Sequence, residues 1–313
     1  MDVRPTRIAV MGSGAVGGYF GASLAAAGAN VAFLARGKHL EIMRRDGLTI
    51  TSTGRDIHAR GLFTDDPREI GRVDLILFCV KSYDTDAASE QLAPMMEDST
   101  LVMSLQNGVD NPDKLAARWG APRVLAGVVY LGAQLAAPGR IAHSAGGRIV
   151  LGALDATTTD AVQSAASVFS GAGVPCAVSA EIRNVMWAKL AWNAPFCALS
   201  CLARATVEEI LGSESLRALA AASIEEVREA ARAAGVELGA SIVEDTFNFS
   251  RGLGGFKPSM LQDLEAGKPL EYEALNGVVA NVLRRAGKRA PVNEMSRAVL
   301  RFLDERTRAG QAA

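Results

Sequence analysis

The sequence predicts an α/β first domain over residues 1–180 followed by an all-α domain over residues 181–313. Three observations carry this expectation. A strand, a glycine turn, a helix and a second strand succeed one another within the first 36 residues. Further apolar runs of strand length follow, and from about residue 181 they give way to Ala, Leu, Glu and Arg at helical spacing. A length of 313 residues also fits two domains better than one core.

The elements follow in order. Arg7-Ile8-Ala9-Val10-Met11-Gly12 is an apolar run entering glycines. The Ala-rich stretch Tyr19–Gly28 reads as a helix that stops at a glycine. Asn30–Arg36 is the next strand. Such a βαβ unit forces a parallel sheet covered on both faces. Val73–Val80, Leu101–Leu105 and Val124–Val128 are further buried strands, while residues 47–62 and 140–153 read as hairpin or antiparallel additions. Helical spacing then runs through 181–235, 240–250, 259–266 and 274–310. The boundary near 175–181 is a shift in composition, with no low-complexity linker.

Bulk properties exclude several classes. With 33 basic against 34 acidic side chains there is no electrostatic footprint for nucleic acid or anionic membrane. Every apolar stretch is interrupted short of the ~18 residues a membrane helix needs. The opening Met1-Asp2-Val3-Arg4-Pro5 lacks the pattern of a signal peptide. Cys79, Cys176, Cys197 and Cys201 have no metal-ligand or Cys-x-x-Cys spacing, and only three histidines are present. The expectation is a cytoplasmic, soluble protein without a metal site.

Gly12-Ser13-Gly14-Ala15-Val16-Gly17 leaves a strand and opens a helix, the context that a dinucleotide-binding G-x-G-x-x-G requires. The first glycine permits the turn, the second lets backbone approach a pyrophosphate, and the third allows close helix–strand packing. Free N–H groups at the helix N-terminus then bind the phosphates. At the end of the second strand, NAD enzymes usually place an acidic residue for the ribose diol. Here Arg36 stands 19 residues after Gly17, and no carboxylate appears until Glu41. A guanidinium there suits a 2′-phosphate, with Lys38 and Lys81 adding charge. NADP (NADPH) is the expected cofactor; the plain alternative makes Arg36 and Lys38 solvated loop cations.

A hydride donor needs a partner that binds the carbonyl and supplies a proton. His39, His58 and His143 fall in loops or hairpins of the first half and are poor candidates. Lys189 and Asn193 lie i, i+4 on one helix face among Met186, Trp187, Leu190, Ala191 and Trp192. Spacing leaves two dispositions open for this lysine: snorkelling to solvent, or a partly dry cleft that lowers its pKa. Pro195, lacking an N–H, should bend the helix beside it.

At this point the chain resembles the ketopantoate reductase (2-dehydropantoate 2-reductase) family along nearly its whole length. The resemblance rests on Gly12-x-Gly14-x-x-Gly17, Cys79-Val80-Lys81, Gln106-Asn107-Gly108-Val109, Lys189-Leu190-Ala191-x-Asn193, and Ser259-Met260-Leu261-Gln262-Asp263 followed by Glu271. It implies a Rossmann-type domain joined to an all-α domain like that of the 6-phosphogluconate dehydrogenases. It also implies hydride delivery from NADPH to the ketone of a small 2-oxo acid, with 2-dehydropantoate giving (R)-pantoate for pantothenate and coenzyme A biosynthesis. By the same resemblance Lys189 is the general acid and Glu271 its acidic substrate-binding partner. Asn107 lies near nicotinamide and substrate, while Asn193 and Ser259 bind substrate.

Plainer roles stand beside these. Ser259 with Gln262 fits a capping box, Glu271 and Glu273 suit a helix N-terminus, and Asn107-Gly108 suits a strand-end turn. The chain also departs from the family pattern. Cys197 stands where a second asparagine is usual, one turn past Asn193, and Phe256 replaces an asparagine three residues before Ser259. Neither hydrogen-bonds as an amide does, so a more apolar ketone or 2-oxo acid is an alternative substrate. A non-catalytic NADPH sensor is the alternative outside enzymology. The apolar helical half leaves room for a homodimer surface.

Overall fold

The computed structural model describes residues 6–54 and 56–312; the opening Met1–Pro5, read above for its lack of a leader, lies outside them. The chain divides into two compact units. One runs to Gln106 and resumes over Asn111–Ile182, and the other joins Asn107–Asp110 to the chain from Arg183 onward.

The first unit is built on one ten-stranded sheet. Its strands are β1 (Arg7–Met11), β2 (Asn30–Leu34), β3 (Leu48–Thr51), β4 (Ile57–Ala59), β5 (Leu62–Thr64), β6 (Leu75–Phe78), β7 (Leu101–Ser104), β8 (Val124–Ala137), β9 (Arg140–Ala153) and β10 (Cys176–Val178). Their order is β4-β3-β9-β8-β7-β6-β1-β2-β5, with β10 on β9. From β5 to β8 every pairing is parallel. The helices of this unit are α1 (Ala15–Ala26), α2 (Gly37–Asp46), α3 (Pro67–Ile70), α4 (Thr85–Glu90), α5 (Asn111–Trp119) and α6 (Thr159–Gly171).

Burial along β1 shows why its run is apolar throughout. Ile8 and Val10 join a core with Phe20, Phe33 and Phe169, whereas Ala9 and Met11 join another with Ile76, Phe78 and Leu115. Alternate side chains thus enter separate cores on the two faces of a parallel sheet.

Two strand expectations differ from what is found. The strand expected over 124–128 continues to Ala137 and pairs antiparallel with β9. Beyond Val129 its burial loosens to a half-exposed pattern, so the continuous apolar signal fades while the pairing persists. Within 47–62, β3 and β4 do form an antiparallel pair, but the chain then enters β5, which runs parallel to β2 at the other edge.

In the second unit the helices are α7 (Ile182–Ala203), α8 (Val207–Gly212), α9 (Glu214–Ala233), α10 (Ile242–Arg251), α11 (Ser259–Glu265), α12 (Val278–Arg285) and α13 (Pro291–Ala312), with a π-helical turn at Glu273–Gly277 before α12. Local chemistry separates the first of them. Thr206 and Glu209 form a reciprocal capping box on α8, and Ser213 caps α9 through Leu216 N–H. No helix among the described residues is long and apolar enough to cross a membrane.

Candidate active site

The glycine turn leaves the C-terminal end of β1, which lies between β2 and β6. Gly12 has φ +97°, and a Cβ there would stand 2.8 Å from Val80 N. A Cβ on Gly17 would collide with the Gly12 carbonyl oxygen and crowd Val10, so α1 can approach β1 only without one. Gly14 faces open space: nothing lies within 4 Å of the position its Cβ would take. It is the N-cap of α1, which has no side-chain cap and no acidic residue in its first turn. Uncapped N–H groups beside an open cradle are the arrangement a pyrophosphate requires, so these residues fit a dinucleotide.

Ser13 is buried, and its hydroxyl donates to Leu34 O at 2.9 Å, fastening the turn to β2. His39 fastens it a second time. Gly139 N–H donates to His39 Nδ1 at 2.9 Å, which leaves Nε2 as the protonated nitrogen that donates to Ser13 O at 2.8 Å. That strut is invisible in sequence because the partner backbone lies 100 residues away. Ala15 and Val16 form the first turn of α1.

Arg36 is the N-cap residue of α2, and its Nη2 lies 3.3 Å from Asp84 Oδ2. Lys81 follows the end of β6 and leads into the 3₁₀ turn Ser82–Asp84. Gln106 joins the ends of β6 and β7: its Nε2 donates to Val80 O at 3.1 Å and to Thr85 Oγ1 at 2.8 Å. Its neighbour Asn107 belongs to the second unit, and Gly108 turns the chain at φ +92°.

In that second unit three predicted residues meet. Lys189 Nζ donates to Asn107 Oδ1 at 3.0 Å, and Asn193 Nδ2 approaches the same oxygen at 3.5 Å. Burial lowers the Lys189 pKa to about 8, while the charges of Cys197 and Glu271 pull it back up. Lys189 is half-buried as a residue, yet its ammonium is desolvated. Glu271, 6% exposed, stands immediately before the helical turn that starts at Tyr272. Lys189, Asn193 and Cys197 follow at i, i+4 and i+8 on α7.

Ser259 is the first residue of α11, with Pro258 at the N-cap, so the Ser259–Gln262 capping box does not form. Gln262 Nε2 instead donates to Lys257 O at 2.7 Å. Ser259 is exposed, and among the described residues no hydrogen bond joins it to Lys189, Asn107 or Asn193. Phe256 packs with Phe196 and Phe249 around Trp192, whose Nε1 donates to Ser250 Oγ at 3.0 Å.

Sequence reasoning missed the brace behind α7. Asn276, wholly buried in the π-helical turn, donates from Nδ2 to Ala194 O at 3.0 Å and to Asn293 Oδ1 at 2.9 Å. Asn293 Nδ2 in turn donates to Glu226 Oε2 at 2.7 Å. Ala194 lies between Asn193 and Pro195, which stands inside the continuous helix α7. An amide embedded in the apolar run Leu275–Val279 is the available signal, since buried polar groups need partners.

Similarity to known proteins adds to this geometry. The family model "Ketopantoate reductase PanE/ApbA" matches residues 8–156, and its C-terminal counterpart matches residues 181–304. The chain belongs to the ketopantoate reductase family. A 2-dehydropantoate 2-reductase of Mesorhizobium japonicum is 31% identical over 95% of this chain and 97% of its own. The crystal structure of 2-dehydropantoate 2-reductase from Geobacter metallireducens matches with a TM-score of 0.90 at 34% identity, covering 95% of this chain and 99% of that one. A PanE/ApbA family ketopantoate reductase from Ralstonia eutropha gives a TM-score of 0.90 at 33% identity, covering 96% and 99%. As a member of the ketopantoate reductase family, with a Rossmann-type sheet domain and the family's helical C-terminal domain, the chain is an oxidoreductase of that type.

Proposed function

We propose that this oxidoreductase uses NADPH to reduce 2-dehydropantoate to (R)-pantoate, with Lys189 as general acid. One observation carries the reading: the Lys189 ammonium is aimed by Asn107 Oδ1 at 3.0 Å and has a pKa of about 8. A donor with a pKa near the working pH is charged enough to bind a ketone oxygen and acidic enough to release its proton.

NADPH, when bound, supplies the hydride to the ketone carbon. As negative charge develops on the oxygen, the Lys189 ammonium stabilises it and then protonates it, leaving the hydroxyl. Asn107 accepts from Nζ and so fixes where that proton points. A carboxylate cannot stabilise the oxyanion, so Glu271 serves to grip a substrate hydroxyl and to keep Lys189 charged. Asn193 and Ser259 take polar groups of the substrate. On the cofactor side, residues 1–180 bind the dinucleotide: the Gly12–Gly17 turn and α1 hold the pyrophosphate, and Arg36 with Lys81 holds the 2′-phosphate.

A second reading has one observation in its favour. Cys197 is buried on the Lys189 face of α7. A thiol there favours a 2-oxo acid or ketone with an apolar group at the position an amide would otherwise read. Turnover of a panel of 2-oxo acids and ketones, with NADPH and NADH, tests both. Fastest oxidation of NADPH by 2-dehydropantoate is the expected result. Preference for a bulkier ketone selects the second reading. Tight NADPH binding without turnover of any substrate would remove both and leave a sensor.

A further inference from the structure

The order β7-β6-β1-β2-β5 places β2 and β6 on opposite sides of β1. Arg36 follows β2, and Asp84 ends the 3₁₀ turn after β6. Their contact, Arg36 Nη2 to Asp84 Oδ2 at 3.3 Å, therefore joins loops that flank the glycine turn on either side. In open α/β sheets the ligand lies outside the carboxyl ends of the strands, where the strand order reverses. Here the order reverses beside β1, so the ion pair lies among the loops that a dinucleotide must approach.

The two side chains are 77% and 41% exposed, and the bond is a single long one. Such a pair exchanges readily for a better partner. A phosphate monoester carries more charge than a carboxylate and accepts the guanidinium fork bidentately. Asp84 and a 2′-phosphate are thus rivals for the same guanidinium. A ribose 2′-hydroxyl makes no such demand, and a carboxylate nearby can accept a hydrogen bond from it.

We propose that Asp84 is a specificity-determining residue for the cofactor: it is the internal counter-ion of Arg36, surrendered when a 2′-phosphorylated dinucleotide binds, and it narrows the preference for NADPH over NADH. This rests on the reading that Arg36 receives the 2′-phosphate. The carboxylate stays close after the exchange and repels the incoming charge, so its removal favours NADPH alone. Added salt weakens the pair and the repulsion together.

The test is the ratio of the dissociation constants for NADH and NADPH, measured by calorimetric titration of the full-length protein. Asp84→Asn keeps the side-chain shape and is expected to raise that ratio roughly two- to five-fold at low salt, with a smaller gain at high salt. In an Arg36→Ala background only the direct repulsion remains, so the same substitution is expected to give a smaller gain. An unchanged or lowered ratio in Asp84→Asn, or an equal gain in both backgrounds, overturns the counter-ion role. Arg36→Ala alone separates the two claims. If it leaves the cofactor preference intact, the 2′-phosphate reading itself fails. If it erases the preference while Asp84→Asn changes nothing, only the role of Asp84 fails.

Discussion

At Gly12–Gly17, the proposed cofactor turn, the groups on offer are backbone N–H groups, and the sequence contributes mainly by leaving side chains out. Around Lys189 the working groups are side chains, set on one helix face and braced by amides from distant segments. The first arrangement depends on close approach: a Cβ on Gly17 meets the Gly12 carbonyl. The second depends on desolvation, which holds Lys189 near a pKa of about 8. A backbone site tolerates changes in its neighbours' chemistry and fails when volume is added. A side-chain site tolerates volume better and fails when one donor or charge is lost.

Substitutions can break or sharpen this contrast, and the largest effect is expected at Lys189. Lys189→Ala should lower kcat by ~10²–10⁴-fold, the usual contribution of a positioned acid, while the NADPH dissociation constant stays within about two-fold. A comparable loss of cofactor affinity would mean that the lysine holds the dinucleotide and not the ketone. Next in size, Arg36→Ala should weaken NADPH on the order of 10- to 100-fold, as expected for a charge-assisted bond worth ~1.5–3 kcal/mol. NADH binding should barely change; equal weakening of both cofactors defeats the assignment.

Cys197→Asn restores an amide beside the lysine and should lower the KM for 2-dehydropantoate roughly two- to ten-fold, the range of one hydrogen bond. A rise in KM with that substrate, accompanied by lost turnover of bulkier ketones, points to the apolar reading. The smallest effect is a shift in pH dependence. With Lys189 as the proposed general acid, reduction requires the protonated lysine, so kcat/KM should fall as pH rises through about 8. Glu271 raises that pKa. Glu271→Gln should therefore move the falling limb to lower pH, and a limb that stays in place removes the carboxylate's hold on Lys189.

The two regions also differed in how far sequence reasoning could reach. The glycine turn was legible because its spacing encodes a steric requirement, and β1 and β2 were legible because both faces are buried. The length of β8 was not, since its second half is mostly small residues broken by Gly132 and Gln134 and is only partly buried. Lys189 and Asn193 could be placed on one face from helical spacing alone. Their meeting with Asn107 could not, because it joins positions 82 and 86 residues apart. Asn276 and Asn293 stayed hidden among apolar helical residues for the same reason. Ser259 showed the opposite error: its local pattern fits a capping box, yet Pro258 takes the N-cap position.

The brace on α7 has a consequence for the order in which the molecule is made. Lys189 and Pro195 leave the ribosome well before Asn276, whose amide runs back to Ala194 O, and before Asn293, whose Oδ1 accepts from that same amide. A nascent chain that has just finished α7 has the lysine but neither the π-helical turn nor the buried amides beside the proline. The lysine group is therefore completed late, and a chain cut short before Asn276 would have the sequence of the site without its support.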